Sequence, residues 1–462
     1  MLYPYIWGWG YVVGCCRIDK HALLGTHVRP GHQRFNFRFE WRRSLVTRVA
    51  IVGGVRTPFC KAGGELSSLT SLDLGLHVVS ALIERIGLDP QLIDDLFFGT
   101  VLLDPRYPNL AREIILRSGL PKRINGHFVS NNCITGLVAA SCAVDAISSG
   151  RIKAAIIGGS ESMSTPTLTY PRAGEKFFLK MARQKSAAKK LRTLASFRPG
   201  LLIPRAPSPK EPSTGLTMGQ HCELMAQEFA IPRTAQDELA YASHMRAAQA
   251  QSESKLSQDI VAVGDVIADG LIRAETSLEK LASLAPVFDK SGPGTITAGN
   301  ASALTDGASA ICLTAEDFAV EHKLTILGFI EAVEFASVSP SDGLLMAPGI
   351  AVPRLMASIG ADFSDVDVFE IHEAFAAQVL CNENVWEKGW NRHPHISPVG
   401  SIPSDRRNIY GGSIALGHPF AATGGRMLMN ACRLLADGNG RRALLSICAA
   451  GGGAGAVSIL RQ

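Results

Sequence analysis

Four positions in this chain combine residue types and surroundings suited to proton transfer and covalent chemistry. Cys133 stands in Val129-Ser130-Asn131-Asn132-Cys133-Ile134-Thr135-Gly136, where polar residues precede an Ala- and Val-rich stretch predicted to be a helix. A cysteine at a helix N-terminus meets free N–H groups and the positive end of the helix dipole, so its thiol is expected below the usual pKa of about 8.5, as a thiolate nucleophile. Cys142, farther along the same helix, reads as an ordinary buried cysteine. His418 lies in Gly411-Gly412-Ser413-Ile414-Ala415-Leu416-Gly417-His418-Pro419, where glycines let the backbone approach a ligand and leave the imidazole accessible as a general base. Cys448 follows a buried strand and opens a glycine loop through Ala449, Ala450, Gly451, Gly452 and Gly453, whose amides can face an oxyanion. His372 comes just after the apolar run 366–369, at the strand end where α/β sheets place their sites. His393 and His395, in a proline-bracketed loop, read as surface residues.

The elements that would hold these residues alternate. Short apolar runs at 49–52 and 96–99 flank a helical pattern at 68–86, the grammar of a mostly parallel sheet covered by helices. Two longer units repeat one another: a helical stretch at 133–149, Gly150-Arg151, then a buried run at 154–157 ending in glycines, against a helical stretch at 424–437, Gly440-Arg441, then a buried run at 443–447 and glycines. The repetition predicts two duplicated α/β halves. Between them, residues 172–205 hold ten basic residues and one acid, Glu175, with Phe177, Phe178, Leu179, Met181, Leu191, Leu194 and Phe197 at helix-like spacing. Such a segment suits a membrane surface, a partner, acidic phosphates, or a solvated cover over a domain. Residues 213–251 again look helical, and 286–308 form a glycine-rich loop.

Length and composition bound the rest. The 462 residues correspond to two to four domains at roughly 100–200 residues each, and 46% hydrophobic with 19% charged residues excludes a disordered chain. Apolar runs fall short of the roughly 20 residues of a membrane span. Ten cysteines without a Cys-x-x-Cys pair fit neither a disulfide framework nor a zinc site, and predict a reducing compartment and no metal. The net charge of +5 resides entirely in residues 1–46, with seven basic residues against two acids, so it does not point to nucleic acid. That stretch, which also holds Trp7, Trp9 and Trp41, reads as an extension with three readings open: a targeting segment, a poorly ordered tail, or an upstream start.

Two cysteines, two histidines and three glycine-rich loops in this order resemble the thiolase family, over residues 49–460. Gly158-Gly159-Ser160-Glu161-Ser162-Met163-Ser164, Ser213-Thr214-Gly215-Leu216-Thr217-Met218-Gly219 and Ala298-Gly299-Asn300-Ala301-Ser302 narrow the likeness to its 3-ketoacyl-CoA branch, which forms the β subunit of fatty-acid oxidation complexes. The resemblance implies a five-layered αβαβα fold of two duplicated halves, at 47–165 (completed by about 300–320) and 321–462, with a loop domain at 166–299. It implies that Cys133 takes the acyl group after yielding its proton to His418, and that Cys448 is the second acid/base. One oxyanion site is expected from His418 with His372, the other from the N–H groups of Cys133 and Ala450.

His372 stands where most thiolases have Asn, and Ala450 where Gly is commoner; both changes are typical of the 3-ketoacyl branch. The resemblance implies CoA contacts at Met218, Phe288, Ala298, Ser302, Met346, Ala374 and Phe375, with Ser302 at the pantetheine amide. CoA enters as a substrate, with no permanently bound cofactor. Expected partners are CoA thioesters, a second copy in a homodimer, a hydratase/dehydrogenase α subunit in a heterotetramer, and a membrane surface met by residues 172–205. The expected location is cytoplasmic, with mitochondrial as the alternative. The rival activities are a biosynthetic acetoacetyl-CoA thiolase and a non-catalytic membrane-docking subunit.

Overall fold

The computed structural model describes residues 47–292 and 294–462; the expectations for residues 1–46 lie outside them. Ten strands run β1 (Val49–Arg56), β2 (Cys60–Lys61), β3 (Asp95–Gly99), β4 (Asn125–Val129), β5 (Ala154–Glu161), β6 (Thr305–Ala315), β7 (Gly328–Ser337), β8 (Val368–Ile371), β9 (Arg442–Ala449) and β10 (Gly453–Leu460). Their order in the sheet is β4-β3-β5-β6-β1-β7-β10-β9-β8, with the short β2 on β6. Apart from β4, which the second half lacks, the two sides match when read inward: β3 and β5 are parallel as β8 and β9 are, and in each half an antiparallel strand, β6 or β10, joins the next to the half's first strand. The halves meet where β1 and β7 pair through Val49, Ala50 and Ile51. The duplication extends to single hydrogen bonds. Asp94 accepts the N–H groups of Lys153 and Ala154 at the head of β5, and Asp367 those of Arg441 and Arg442 at the head of β9.

Helices complete five layers. α1 (Ser71–Ile86) starts at a capping box of Thr70 and Asp73 and stops at Gly87, in the left-handed region at φ +62°. Its buried residues Leu74, Val78 and Leu82 recur every four positions, one face of a helix. With α2 (Leu110–Arg117), α1 covers the outside of the first half-sheet. α3 (Thr135–Ser148) faces inward, against β3, β5, β6 and β10. Between the halves come α4 (Arg172–Arg183), α5 (Ala187–Leu194), α6 (Met218–Glu228), α7 (Arg233–Ser252) and α8 (Leu278–Ala282), followed by α9 (Glu316–Glu321) after β6. α10 (Pro348–Ile359) covers the outside of the second half-sheet, with α11 (Ala376–Lys388) packed on α10 and α6. Past α12 (Ser413–Leu416), α13 (Thr423–Ala436) pairs with α3 as the middle layer, touching strands of both halves.

Three expectations change. The sheet is not mostly parallel: β3–β4, β3–β5 and β8–β9 are parallel, whereas the other six pairs are antiparallel, because each half closes through an antiparallel strand and the halves join antiparallel. The stretch 213–251 divides into α6 and α7, because Ala230 turns left-handed at φ +50° and Pro232 cannot continue a helix. The basic segment is two helices rather than one. α4 and α5 pack chiefly on each other and on the turn Pro199–Leu202, closed at their root where Thr169 and Arg205 exchange backbone hydrogen bonds.

Candidate active site

The chain leaves β4 at Val129 and enters α3 at Thr135 through a tight elbow that presents Cys133. Thr135 Oγ1 accepts the N–H of Asn131 at 2.9 Å and donates to the carbonyl of Asn132 at 2.7 Å. Asn132 itself sits in the left-handed region at φ +47°, a conformation Asn tolerates better than most side chains. The expected depression of the Cys133 pKa is corrected here: the thiol is pushed up to about 12. Burial is the main cause; the N–H groups of Ala450 and Cys133 pull the other way, and the Glu161 carboxylate adds to the rise. Sequence reasoning credits the helix end but not the desolvation around the sulfur, and desolvation wins. Cys133 therefore rests as a thiol and needs a base.

Two imidazoles stand ready. His418, 4% exposed, donates its backbone N–H to Thr305 Oγ1 at 3.1 Å and pairs through Nδ1 with Thr423 Oγ1 at 2.7 Å. Burial, then the positive charge of Arg426, brings its pKa down to about 3, so the ring is neutral. His372 follows β8, with its N–H on the carbonyl of Ser446 at 2.8 Å and Nδ1 against Ser413 Oγ at 2.8 Å. Burial, then His418 and Arg426, holds its pKa well below the usual value. The two ring centroids lie 4.0 Å apart. Both Nε2 atoms are buried and have no hydrogen-bond partner among the described residues.

Cys448, at the end of β9, is fully buried, and burial followed by the nearby Cys133 sulfur holds its pKa well above the usual value. The loop beyond it turns through Gly451 and Gly452, both left-handed at φ +79° and +77°, a conformation that glycine adopts without strain. The first turns of α3 and α13 meet at Gly136 and Gly424, where a Cβ on Gly424 would stand 3.1 Å from the backbone of Leu137. The fold thus gathers the four sequence-selected residues from both halves.

Two family descriptions match, the thiolase N-terminal domain over residues 49–317 and the thiolase C-terminal domain over residues 324–461. The chain belongs to the thiolase family. It is 37% identical over 422 residues to a 3-ketoacyl-CoA thiolase of Vibrio cholerae serotype O1, covering 89% of this chain and 97% of that one. Among solved structures it is similar to the Bacillus anthracis acetyl-CoA acetyltransferase, with a TM-score of 0.78 at 26% identity, over 90% of this chain and 99% of that one. It is also similar to a thiolase of Ascaris suum in complex with coenzyme A, with a TM-score of 0.75 at 27% identity, over 90% of this chain and 100% of that one.

In this thiolase, six of the seven expected CoA positions belong to or adjoin the apolar cluster that contains the second cysteine. Met346 and Phe375 belong to the same apolar cluster as Cys448, Met218, Phe288 and Ala374 pack against it, and Phe288 meets Phe375 edge to face at 5.9 Å. Ser302 joins that cluster through Ala374, whose carbonyl accepts both its N–H at 3.0 Å and its hydroxyl at 3.1 Å. Met346 is fully buried, a core position, while Ala298 is exposed on the loop leading to Ser302. Sequence reading missed the residues that support the site. Asn132 Nδ2 donates to the carbonyl of Ala450 at 3.0 Å, Glu211 accepts the N–H of Gly451 at 3.0 Å, and Arg426 Nη2 donates to Ser413 Oγ at 2.9 Å. Asn132 and Ser413 lie inside the motifs and were legible as neighbours; nothing local marks Glu211 or Arg426.

Proposed function

We propose that this chain is an acyltransferase that cleaves 3-ketoacyl-CoA with CoA, giving acetyl-CoA and an acyl-CoA two carbons shorter, in fatty-acid β-oxidation. The observation that carries this reading is that Cys448 lies beside Cys133, both held as thiols, and His372 lies against His418, both buried and neutral with Nε2 atoms unpartnered among the described residues. His418 Nε2 takes the Cys133 proton, and the thiolate adds to the C3 carbonyl of the substrate. The resulting alkoxide faces the N–H groups of Cys133 and Ala450. Its collapse breaks the C2–C3 bond, leaving the acyl group on Cys133 and an acetyl-CoA enolate whose oxygen faces His372 and the protonated His418. Cys448 gives its proton to the enolate carbon. As a thiolate, Cys448 then takes the proton of the incoming CoA thiol, and the CoA sulfur attacks the acyl-Cys133 thioester. Cys133 leaves and recovers its proton from His418, so every group returns to its starting state.

CoA acts here as substrate, and the solved CoA complex of the Ascaris suum thiolase is consistent with that role. The test is steady-state thiolysis of acetoacetyl, medium-chain and long-chain 3-ketoacyl-CoA. Turnover on the longer chains is expected; turnover confined to acetoacetyl-CoA would favour the biosynthetic alternative, and none at all would favour a docking subunit.

We further propose a homodimer and a membrane contact. β4 is an edge strand paired to β3 alone, with His127, Phe128 and Val129 half-exposed along it, an edge suited to pairing with a second copy. The α4–α5 hairpin exposes Leu179, Leu191 and Leu194 among its basic residues, and such a face complements an anionic lipid surface. An α subunit seated on the hairpin is the competing occupant.

A further inference from the structure

Beneath the two imidazoles lies a buried charge to which the proposed reaction gives no task. Arg426, on α13, is 1% exposed. Its Nη1 stands 3.7 Å from Glu370 Oε2, and neither Nη1 nor Nε has a hydrogen-bond partner among the described residues. A buried arginine with such loose pairing is destabilising by itself; among the described residues its guanidinium makes a single hydrogen bond, from Nη2 to Ser413 Oγ at 2.9 Å. That same oxygen faces His372 Nδ1 at 2.8 Å. A hydroxyl has one proton to give and two lone pairs to receive with, whereas a guanidinium only donates. Ser413 therefore receives from Arg426. Were it also to receive from Nδ1, its own proton would have no acceptor among the described residues. Either tautomer leaves one of these protons over: with Nδ1–H it is the Ser413 hydroxyl, enclosed between Arg426 and the ring, and with Nε2–H it is the Nε2 proton, which the enolate oxygen of the proposed reaction would receive, so the Nε2–H form is the one whose spare donor a substrate satisfies.

We propose that Arg426 and Ser413 are positioning residues that hold His372 as the Nε2–H tautomer, so that it donates to the enolate oxygen of departing acetyl-CoA. The proposal deepens the thiolase reading and rests on it for the enolate. Arg426 has a second effect through space: its charge, added to burial, opposes protonation of both rings, so both rest neutral. The geometry gives a step-specific expectation. An enolate forms when the C2–C3 bond breaks, but none forms when Cys133 exchanges an acyl group with CoA, where acyl-CoA and the Cys133 thiol give acyl-Cys133 and free CoA.

The experiment compares Ser413→Ala and Ser413→Thr in the full-length enzyme. Ser413→Ala is expected to lower kcat for 3-ketoacyl-CoA thiolysis by roughly 10–100-fold, the scale of lost supporting hydrogen bonds at active sites, with KM within about twofold. Acyl exchange between acyl-CoA and CoA is expected to stay within about threefold, and Ser413→Thr, which keeps the hydroxyl, to restore thiolysis. In a His372→Ala background Ser413→Ala is expected to have no further effect, because the group it positions is gone. Equal losses in both reactions, or a full second loss in the His372→Ala background, would overturn the relay and make Ser413 a packing residue. ¹⁵N NMR of histidine-labelled resting enzyme reads the tautomer without any reaction. A protonated Nδ1 on His372 would overturn the relay even if thiolysis is intact, whereas a wild-type enzyme that fails to cleave 3-ketoacyl-CoA but has a protonated Nε2 would overturn the functional reading alone.

Discussion

Asn132 and Ala450 are joined across 318 positions of the chain, the side-chain amide of the first donating to the carbonyl of the second at 3.0 Å. From the other side Gly451 gives its N–H to Glu211 at 3.0 Å, so the peptide between Ala450 and Gly451 is held at both ends. This clamp fixes the direction of the preceding N–H, that of Ala450, which faces the Cys133 sulfur. Asn132→Ala is expected to slow both thiolysis and acyl exchange by at least about tenfold, somewhat less than the roughly 10²–10³ of a deleted oxyanion donor. Parallel kinetics of the two reactions check it, and a loss in thiolysis alone would contradict the clamp.

Iodoacetamide should modify Cys133 ahead of Cys142, and the reaction should depend on His418. A thiol held near pKa 12 gives little thiolate at neutral pH, so the neutral imidazole must take the proton as the bond forms. His418→Ala should slow alkylation about tenfold or more, in line with general-base contributions. Peptide mapping decides it, and equal labelling of Cys142 would remove Cys133 from its assigned role.

Cys448→Ala should separate the half-reactions. Acyl transfer from a simple acyl-CoA to Cys133 should persist, whereas overall thiolysis should fall by about 10²-fold or more, because nothing else protonates the enolate carbon. Mass spectrometry of the trapped acyl-enzyme provides the measurement. Near wild-type turnover would mean that another group moves that proton.

Acid should destabilise the fold through its buried histidines. His244 is held down to about 4 and His418 to about 3, with His372 also well below its unfolded value near 6.5. Groups with depressed folded pKa values contribute stability that is present above pH 6.5 and lost as pH falls toward the folded values. Between pH 7 and 5 the loss is of order 2 kcal/mol from His418 alone. Glu370, raised to about 8, acts in the opposite sense, its contribution being present below about 4.5 and lost as pH rises through 8. Calorimetric Tm should fall over pH 7 to 5 as the three rings outweigh Glu370, and more steeply in Glu370→Gln, which lacks the opposing group; a flat profile in that variant would mean that these rings take up protons in the folded state.

Deleting residues 177–197 should leave thiolysis of short soluble substrates intact and weaken binding to anionic vesicles. Roughly 1 kcal/mol per basic residue near such a surface is at stake, and it should fade with added salt. Co-sedimentation across a salt series checks this. Unchanged vesicle binding with lost activity would identify the hairpin as a structural cover.

The sequence disclosed what is local. Cys133, His418 and Cys448 sit in short motifs whose glycines and strand ends announce them, and the repeated Gly-Arg before β5 and β9 foretold the duplicated topology. What it concealed depends on distance along the chain. Glu211 reaches Gly451 across 240 residues, and Arg426 acts on His372 from another element. The direction of the Cys133 pKa was hidden for the same reason: a helix terminus is readable from neighbours, whereas the desolvation that overrules it comes from segments brought together by folding.

The pairing of β1 with β6 also governs the order in which this chain can acquire its structure. β1 holds Arg56 opposite Ser309 and Val49 opposite Ala315, so the first strand has no neighbour within its own half until the entire intervening segment has been made. At roughly 5–20 residues per second, a ribosome leaves that strand and the facing edge of β5 uncovered for tens of seconds. Slowing translation between β5 and β6 should therefore raise aggregation more than slowing it after β6, and added chaperone should suppress the difference.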